Sequence, residues 1–374
     1  MQERGSPVPI STPSGCFRTS RQGVWSVRKY FAVLLVTVLL MVSTLAGCSP
    51  AGDSARNPAP AAAERTATDA KGREVKIPDK VEKIAITCYG GATHEMTVLG
   101  FADAIVAQPT MKSFPQLKKM FPQYETVIDP GSFNEVNIEE IIKADPDMVF
   151  VGVSSPEGNK KIEEAGFPTY TMWIGWAAID TLKQEFLNIG AIMGNEEQAK
   201  KLVAYWDEKL AALDTMLAKV PESERKVVYY TGADITKANT SDWAWTFIEE
   251  AGGVSAISKG TTGDVNVEVV LAADPDVIIT QGGNGTAGFL QDNRIQNLTA
   301  IKNKAVYECP IAAFWWDRPS PEAPLGFMWL AQTLYPEYTK DIDLKEETKY
   351  FFSEFYNYDV SDEEYASFFV HKKK

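Results

Sequence analysis

Histidine is almost missing from this chain: His94 and His371 are the only two in 374 residues. That leaves little choice of general base. There is also no G-x-S-x-G turn, so serine-type nucleophilic catalysis has no support. Four cysteines are too few for a disulfide scaffold. Basic residues are outnumbered, 37 against 50 acidic, for a net charge of −13. A surface of that sign repels a phosphate backbone, so no nucleic acid is expected as a partner. The uncharged run Tyr30 to Thr44 falls short of the ~20 apolar residues that span a bilayer. What remains is 45% hydrophobic, enough to fill about two domain cores.

The first fifty residues follow one plan. Arg28 and Lys29 precede the apolar run, and Leu45-Ala46-Gly47-Cys48 closes it. A basic start, an apolar middle and small residues before a cut describe a secretory signal. The closing tetrapeptide resembles the bacterial lipobox, which implies a lipid on Cys48 as the first mature residue. The expected segments are a signal over 1–47 and a flexible Ser/Pro/Ala/Gly tether over 48–67. Loss of the signal removes five basic residues and one acid, which makes the mature chain four charges more negative. The mature chain is expected outside the cytoplasm. Cys88 and Cys309 are read as buried free thiols, with a single bridge as the alternative that spacing leaves open.

The mature sequence contains one unit twice. Val136 to Gly152 and Val265 to Gly282 align at an offset of 129 residues through Asp145-Pro146-Asp147 and Asp274-Pro275-Asp276. In each copy an Asn (Asn137, Asn266) is placed to cap a short helix. The Asp-Pro pair stops that helix, because the residue before proline avoids the α region. An apolar, β-branched run, Met148 to Val151 and Val277 to Thr280, then reads as a buried parallel strand. Two similar α/β lobes follow from this recurrence. Further strands are expected at Lys83 to Thr87, Ala104 to Gln108, Thr169 to Trp173, Lys226 to Tyr230 and Ala305 to Glu308, with a hairpin turning at Lys71-Gly72. Leu202, Trp206, Leu210, Leu213 and Leu217 recur at helical spacing, so 195–220 reads as one long helix of ~39 Å between lobes 68–194 and 221–374. A single rigid connector implies limited hinge motion. Leu325 to Leu334 and Thr348 to Tyr356 complete the helices.

With these pieces in order, the chain resembles the substrate-binding lipoproteins of bacterial iron-complex and cobalamin ABC importers. The resemblance is carried by the lipobox, the Thr68 to Pro78 hairpin and both Asn-x-Glu…Asp-Pro-Asp units. Ala251-Gly252-Gly253, Asn303 to Tyr307, Trp316 to Gly326 and Leu334-Tyr335-Pro336 also match. It implies two Rossmann-like lobes with mostly parallel sheets, joined by one long helix, and a monomer that delivers solute to a permease and its ATPase. It also implies that one acid per lobe, Glu139 and Glu268, docks the loaded protein onto basic permease residues. Their first-turn positions independently suit either docking or complementing the helix dipole, the latter worth roughly 0.3–1 kcal/mol.

A ligand is expected outside the carboxyl ends of the parallel strands. The segments there hold six of the eight mature tryptophans: Trp173, Trp176, Trp243, Trp245, Trp315 and Trp316. A large apolar face with one N–H suits a wide cleft. Arg318 offers a bidentate fork for a carboxylate, phosphate or chelate oxygen, or else pairs with Asp317. The expected ligand set is Tyr89, His94, Trp176, Tyr230, Trp243, Trp316 and Arg318. No His/Cys/Glu spacing makes a metal site, and no resident cofactor is expected. The expected ligand is therefore a pre-formed metal chelate, such as a siderophore, corrinoid or haem. An oxyanion such as molybdate or tungstate is the alternative.

One rival remains. Gly283 to Gly288 spells G-x-G-x-x-G after a strand, with Glu308 twenty residues beyond Gly288, the pattern of a dinucleotide enzyme. The first lobe lacks it, and a glycine-rich cleft loop explains it more simply. No enzymatic activity is expected.

Overall fold

The computed structural model describes residues 65–88, 91–109, 114–173 and 177–369. Cys48, the signal, Tyr89, Trp176 and His371 lie outside the described residues.

The first lobe opens with the expected hairpin: β1 (Thr66–Thr68) pairs antiparallel with β2 (Glu74–Lys76). β3 (Ile84–Ile86) leads to α1 (Gly91–Val98), then β4 (Ile105–Ala107) and α2 (Pro115–Met120). A two-residue hairpin, β5 (Gly131–Ser132) and β6 (Glu135–Val136), precedes α3 (Ile138–Ala144). β7 (Met148–Gly152), α4 (Pro156–Glu164), β8 (Thr169–Met172) and α5 (Ile179–Met193) complete the lobe. Its sheet runs β4-β3-β7-β8, all parallel.

The connector, α6 (Glu196–Leu217), is about 33 Å long. It stops a turn before the expected end at 220. Lys219 and Val220 bond three residues back, to the Met216 and Leu217 carbonyls, so the last turn tightens out of the α-helix before Pro221.

In the second lobe, β9 (Val227–Thr231), α7 (Asp242–Glu250), β10 (Val254–Ser255), α8 (Val267–Ala273) and β11 (Val277–Thr280) follow. Then come α9 (Ala287–Leu290), α10 (Thr299–Lys302) and β12 (Val306–Glu308). The sheet order is β10-β9-β11-β12, again all parallel. Second strand, first, third, fourth: both lobes share one topology, which confirms the repeat at the level of the sheet. α11 (Ala323–Leu334), α12 (Leu344–Tyr356) and α13 (Asp362–Ser367) close the chain.

Strand periodicity explains the layering. Met148 and Phe150 of β7, with Val228 and Tyr230 of β9 and Ile279 of β11, face one continuous core that also takes in Leu202, Trp206, Leu213 and Leu217 of α6. The alternate residues face outward to separate, smaller cores. Val149 and Val151 meet Ile141 of α3, and Tyr229 and Ile278 meet Val270 of α8. The lobes are thus welded on the α6 side, while α3 and α8 occupy equivalent places on the far faces.

The repeat units differ in one detail. Asn137 caps α3, its side chain accepting from the Glu139 and Glu140 N–H groups. Asn266 stands at the same position of α8 without a side-chain cap bond. Its main-chain carbonyl receives the Val269 N–H instead. Both helices end on an aspartate in the left-handed region, Asp145 at φ 50° and Asp274 at φ 39°. The pre-proline residue therefore leaves the helix by the left-handed route.

Candidate functional site

In both sheets the order reverses between the first and third strands, so a crevice forms at their carboxyl ends. Chain segments from both lobes converge there. α1, directly after β3, brings His94, wholly buried, with its Nε2 2.6 Å from the Ala313 carbonyl oxygen of the second lobe. A carbonyl only accepts, so Nε2 carries the proton. His94 also packs on Phe314 (ring centroids 4.3 Å) and Phe114 (5.0 Å). Phe114 meets Trp315 edge-on at 4.7 Å. The lobes touch through this aromatic seam. Gly91 permits the approach, since a β-carbon there would lie 3.1 Å from the Pro319 carbonyl oxygen.

Behind the seam the second lobe holds a polar triad. Arg318 Nη1 donates to the Tyr230 hydroxyl at 2.7 Å, which donates to Asp317 Oδ2 at 2.6 Å. Arg318 Nη1 also lies 3.3 Å from Asp317 Oδ1, at ion-pair range without hydrogen-bond alignment. Tyr230 comes from the carboxyl end of β9 and is buried, which pushes its hydroxyl pKa well up. Burial opposes the Arg318 charge, but Tyr230 and Asp317 outweigh it and hold the guanidinium pKa above its usual value. The Arg318 side chain stays 29% exposed and lies 5.8 Å from the centre of the Trp315 ring. Its Nη2 and Nε groups bond to no described residue. A clamped cation with unused donors therefore lies beside Trp315 of the seam.

The loop carrying Trp315 and Arg318 is held from below. Glu322, wholly buried at the start of α11, accepts from Trp316 Nε1 (3.0 Å) and the Tyr356 hydroxyl (2.6 Å). Burial raises its carboxyl to about 7, against the pull of Tyr356, Trp316 and the Phe314 and Ala313 N–H groups. Gly326 lets α11 close on this loop, because a β-carbon there would stand 2.1 Å from the Trp316 carbonyl oxygen.

On the first-lobe side, Glu185 of α5 accepts from the Trp173 N–H at 2.7 Å. Burial raises it to about 8 despite that bond. Burial, then the Glu185 charge, pushes buried Glu95 of α1 well above the carboxylate range. A groove of about 680 Å³ on the outer edge of this lobe, between β1, β8 and α5, is separate from the seam. Asp69, Asp180 and Glu185 line it, without a basic residue.

Of the expected ligand set, Tyr230 and Arg318 are joined directly, and His94 sits in the same seam. Trp316 is wholly buried, bonded to Glu322, and braces the loop from behind. Trp243 is buried on α7 against Phe327. Trp245 is also buried, its Nε1 bonded to the Ile257 carbonyl. Of these three, Trp243 alone keeps a buried Nε1 with no hydrogen-bond partner among the described residues. Trp173 and Trp315 are half-buried. Cys88 and Cys309 are free and buried, and burial raises both thiols well above their usual pKa. The glycine-rich loop is not a dinucleotide cradle. Glu308 already accepts from the Gly283 and Gly285 N–H groups at 2.7 and 2.9 Å, and α9 beyond it is four residues long. Phe114, Asp317 and Glu322 were not among the expected site residues. Only Asp317 had a signal, as the neighbour able to pair with Arg318.

Comparison with known proteins places this architecture. The family model described as periplasmic binding protein matches residues 86–313, and the chain belongs to that family, the substrate-binding components of ABC importers. It is 28% identical to the molybdate-binding protein MolA of Haemophilus influenzae, over 79% of this chain and 92% of that one. The molybdate-bound MolA structure matches with a TM-score of 0.71, covering 80% of this chain and 99% of that one. A periplasmic solute-binding protein from Veillonella parvula matches at 27% identity and TM-score 0.70, covering 82% and 96%. The iron(3+)-hydroxamate-binding protein FhuD of Bacillus subtilis is 24% identical over 78% and 94%. By name these relatives are binding proteins, not enzymes. Among the described residues no helix is long and apolar enough to cross a membrane, and no His/Cys/Asp/Glu group could hold a metal ion.

Proposed function

We propose that this protein captures a compact oxyanion of the molybdate or tungstate type between its lobes and hands it to an ABC permease. One observation carries the reading: the Arg318 guanidinium is fixed from behind by Tyr230 and Asp317, yet keeps its outer donors unbonded at the seam. Such a fork, held rigid before the ligand arrives, suits tetrahedral oxygens. A further feature agrees. Direct contact of His94, Phe114 and Phe314 across the lobes leaves little breadth for a macrocycle. Similarity to the molybdate-binding relative points the same way.

An iron complex is the second reading. It is favoured by the half-buried Trp315 face and by the hydroxamate-binding relative. In either case lipid on Cys48 would tether the mature monomer to the membrane. Glu139 and Glu268, both exposed in the first turns of equivalent helices, would engage basic permease residues. Titration of the purified protein with molybdate, tungstate, sulfate, a ferric hydroxamate and cobalamin, followed by tryptophan fluorescence, separates the readings. Saturable quenching by molybdate or tungstate is expected. A response to the hydroxamate or cobalamin alone overturns the oxyanion in favour of the chelate.

A further inference from the structure

α3 and α8 carry more than their acids. At the repeat offset of 129 residues, Ile142 of α3 corresponds to Leu271 of α8. Both are exposed, Ile142 at 59% and Leu271 at 38%. Each stands three positions after its acid, Glu139 or Glu268, and so shares its helix face. The neighbouring Ile141 and Val270 are the ones that turn into the outer cores. Single exposed apolar side chains are ordinary. An exposed one at the same register of two diverged copies is not. Beside these matched positions the copies have changed, Glu140 standing opposite Val269 and Lys143 opposite Ala272.

The two acids are also set apart electrically. Glu140 pairs with Lys143, whereas Glu139 and Glu268 have no ion-pair partner among the described residues. Each helix runs into its strand through Asp-Pro-Asp, so its N-terminus stands at the carboxyl ends of the strands, level with the seam. A partner that covers both patches has to present the same feature twice: a basic residue beside an apolar socket.

We infer that Ile142 and Leu271 are paired apolar contacts for the permease, one per lobe, each seated beside the acid of its own helix. The inference rests on the docking role proposed for Glu139 and Glu268 and extends it to the residues that hold the complex once charge has steered it into place.

The test uses the full-length protein, without added solute, and its importer complex in nanodiscs. ATPase stimulation against protein concentration gives the half-saturating value. Ile142→Ala and Leu271→Ala should each raise it about three- to tenfold, and together by more than tenfold. The thermal midpoint should stay put, since both positions are exposed on helices. These losses should persist at about 0.5 M salt, where the losses from Glu139→Gln and Glu268→Gln shrink by screening. If the alanine double variant docks within twofold of wild type while the glutamine variants are weakened, the apolar contacts are refuted and the acid docking stands. If the glutamine variants also dock normally, both fall. Weakening by alanine alone keeps this inference and removes the acids.

Discussion

Replacing Arg318 with Gln should do two separable things. The first is structural. Asp317 is wholly buried and would keep the Tyr230 hydroxyl but lose its counter-charge. Breaking an enclosed ion pair costs about 3–5 kcal/mol. With 29% of the Arg318 side chain exposed, water offsets part of that, so about 2–3 kcal/mol is expected here. For a folded body of about 300 residues, that lowers the thermal midpoint by about 3–5 °C. The second effect is on binding. Two charge-assisted hydrogen bonds from Nη2 and Nε at about 1.5–3 kcal/mol each make affinity fall more than a hundredfold. The double variant Arg318→Gln with Asp317→Asn separates the effects. It removes both charges, so stability should largely return, while the oxyanion still fails to bind. Calorimetry on ligand-free protein and fluorescence titration with molybdate read the two quantities. A double variant that binds within threefold of wild type refutes Arg318 as the clamp. An Arg318→Gln variant as stable as wild type refutes the buried pair.

Two more outcomes follow from the loop beneath the site. Glu322 has a carboxyl raised from 4.5 to about 7, so the native state holds its proton more tightly than the unfolded chain. Its share of stability is full below pH ~4.5, declines as pH rises to ~7 and is level above, a span of about 3 kcal/mol. Glu322→Gln should remove that part of the slope in urea titrations between pH 5 and 8, and an unchanged slope contradicts the assignment. Gly326→Ala places a β-carbon against the Trp316 carbonyl. It should cost about 1–3 kcal/mol and weaken ligand binding by displacing the Arg318 loop. A variant with normal stability and affinity shows that the contact gives way freely.

The sheets were legible because they obey a local rule repeated twice. Val277 to Thr280 was read at its observed bounds, and the other expected strands deviate by about a residue at each end. A parallel strand buried on both faces announces itself as an unbroken apolar run. α6 was legible from its leucine spacing, and only its last turn was misjudged, where the chain tightens before Pro221. Arg318 and Tyr230 were legible from position alone, since both fall where parallel strands end.

The aromatic residues were not legible, and the reason is physical. Trp315 and Trp316 are adjacent, yet the chain turns between them, Trp315 closing a bridge to Ile311 and Trp316 opening a turn. One meets Phe114 of the other lobe, and the next is swallowed by Glu322 and α11. Composition counts both as cleft wall, while only the path of the backbone sorts them. The same holds for Glu322, whose neighbours Trp316 and Tyr356 lie 6 and 34 residues away. Its role is set by four donors converging on one carboxyl, and no periodicity reports that convergence. Phe114 acts across the lobe boundary, a contact that exists only because α6 and the shared core hold the two sheets at one mutual distance. What a repeat can specify, it specified twice. The chemistry of the crevice lies where the two copies stopped being alike, with the clamped cation on one lobe and a buried histidine on the other.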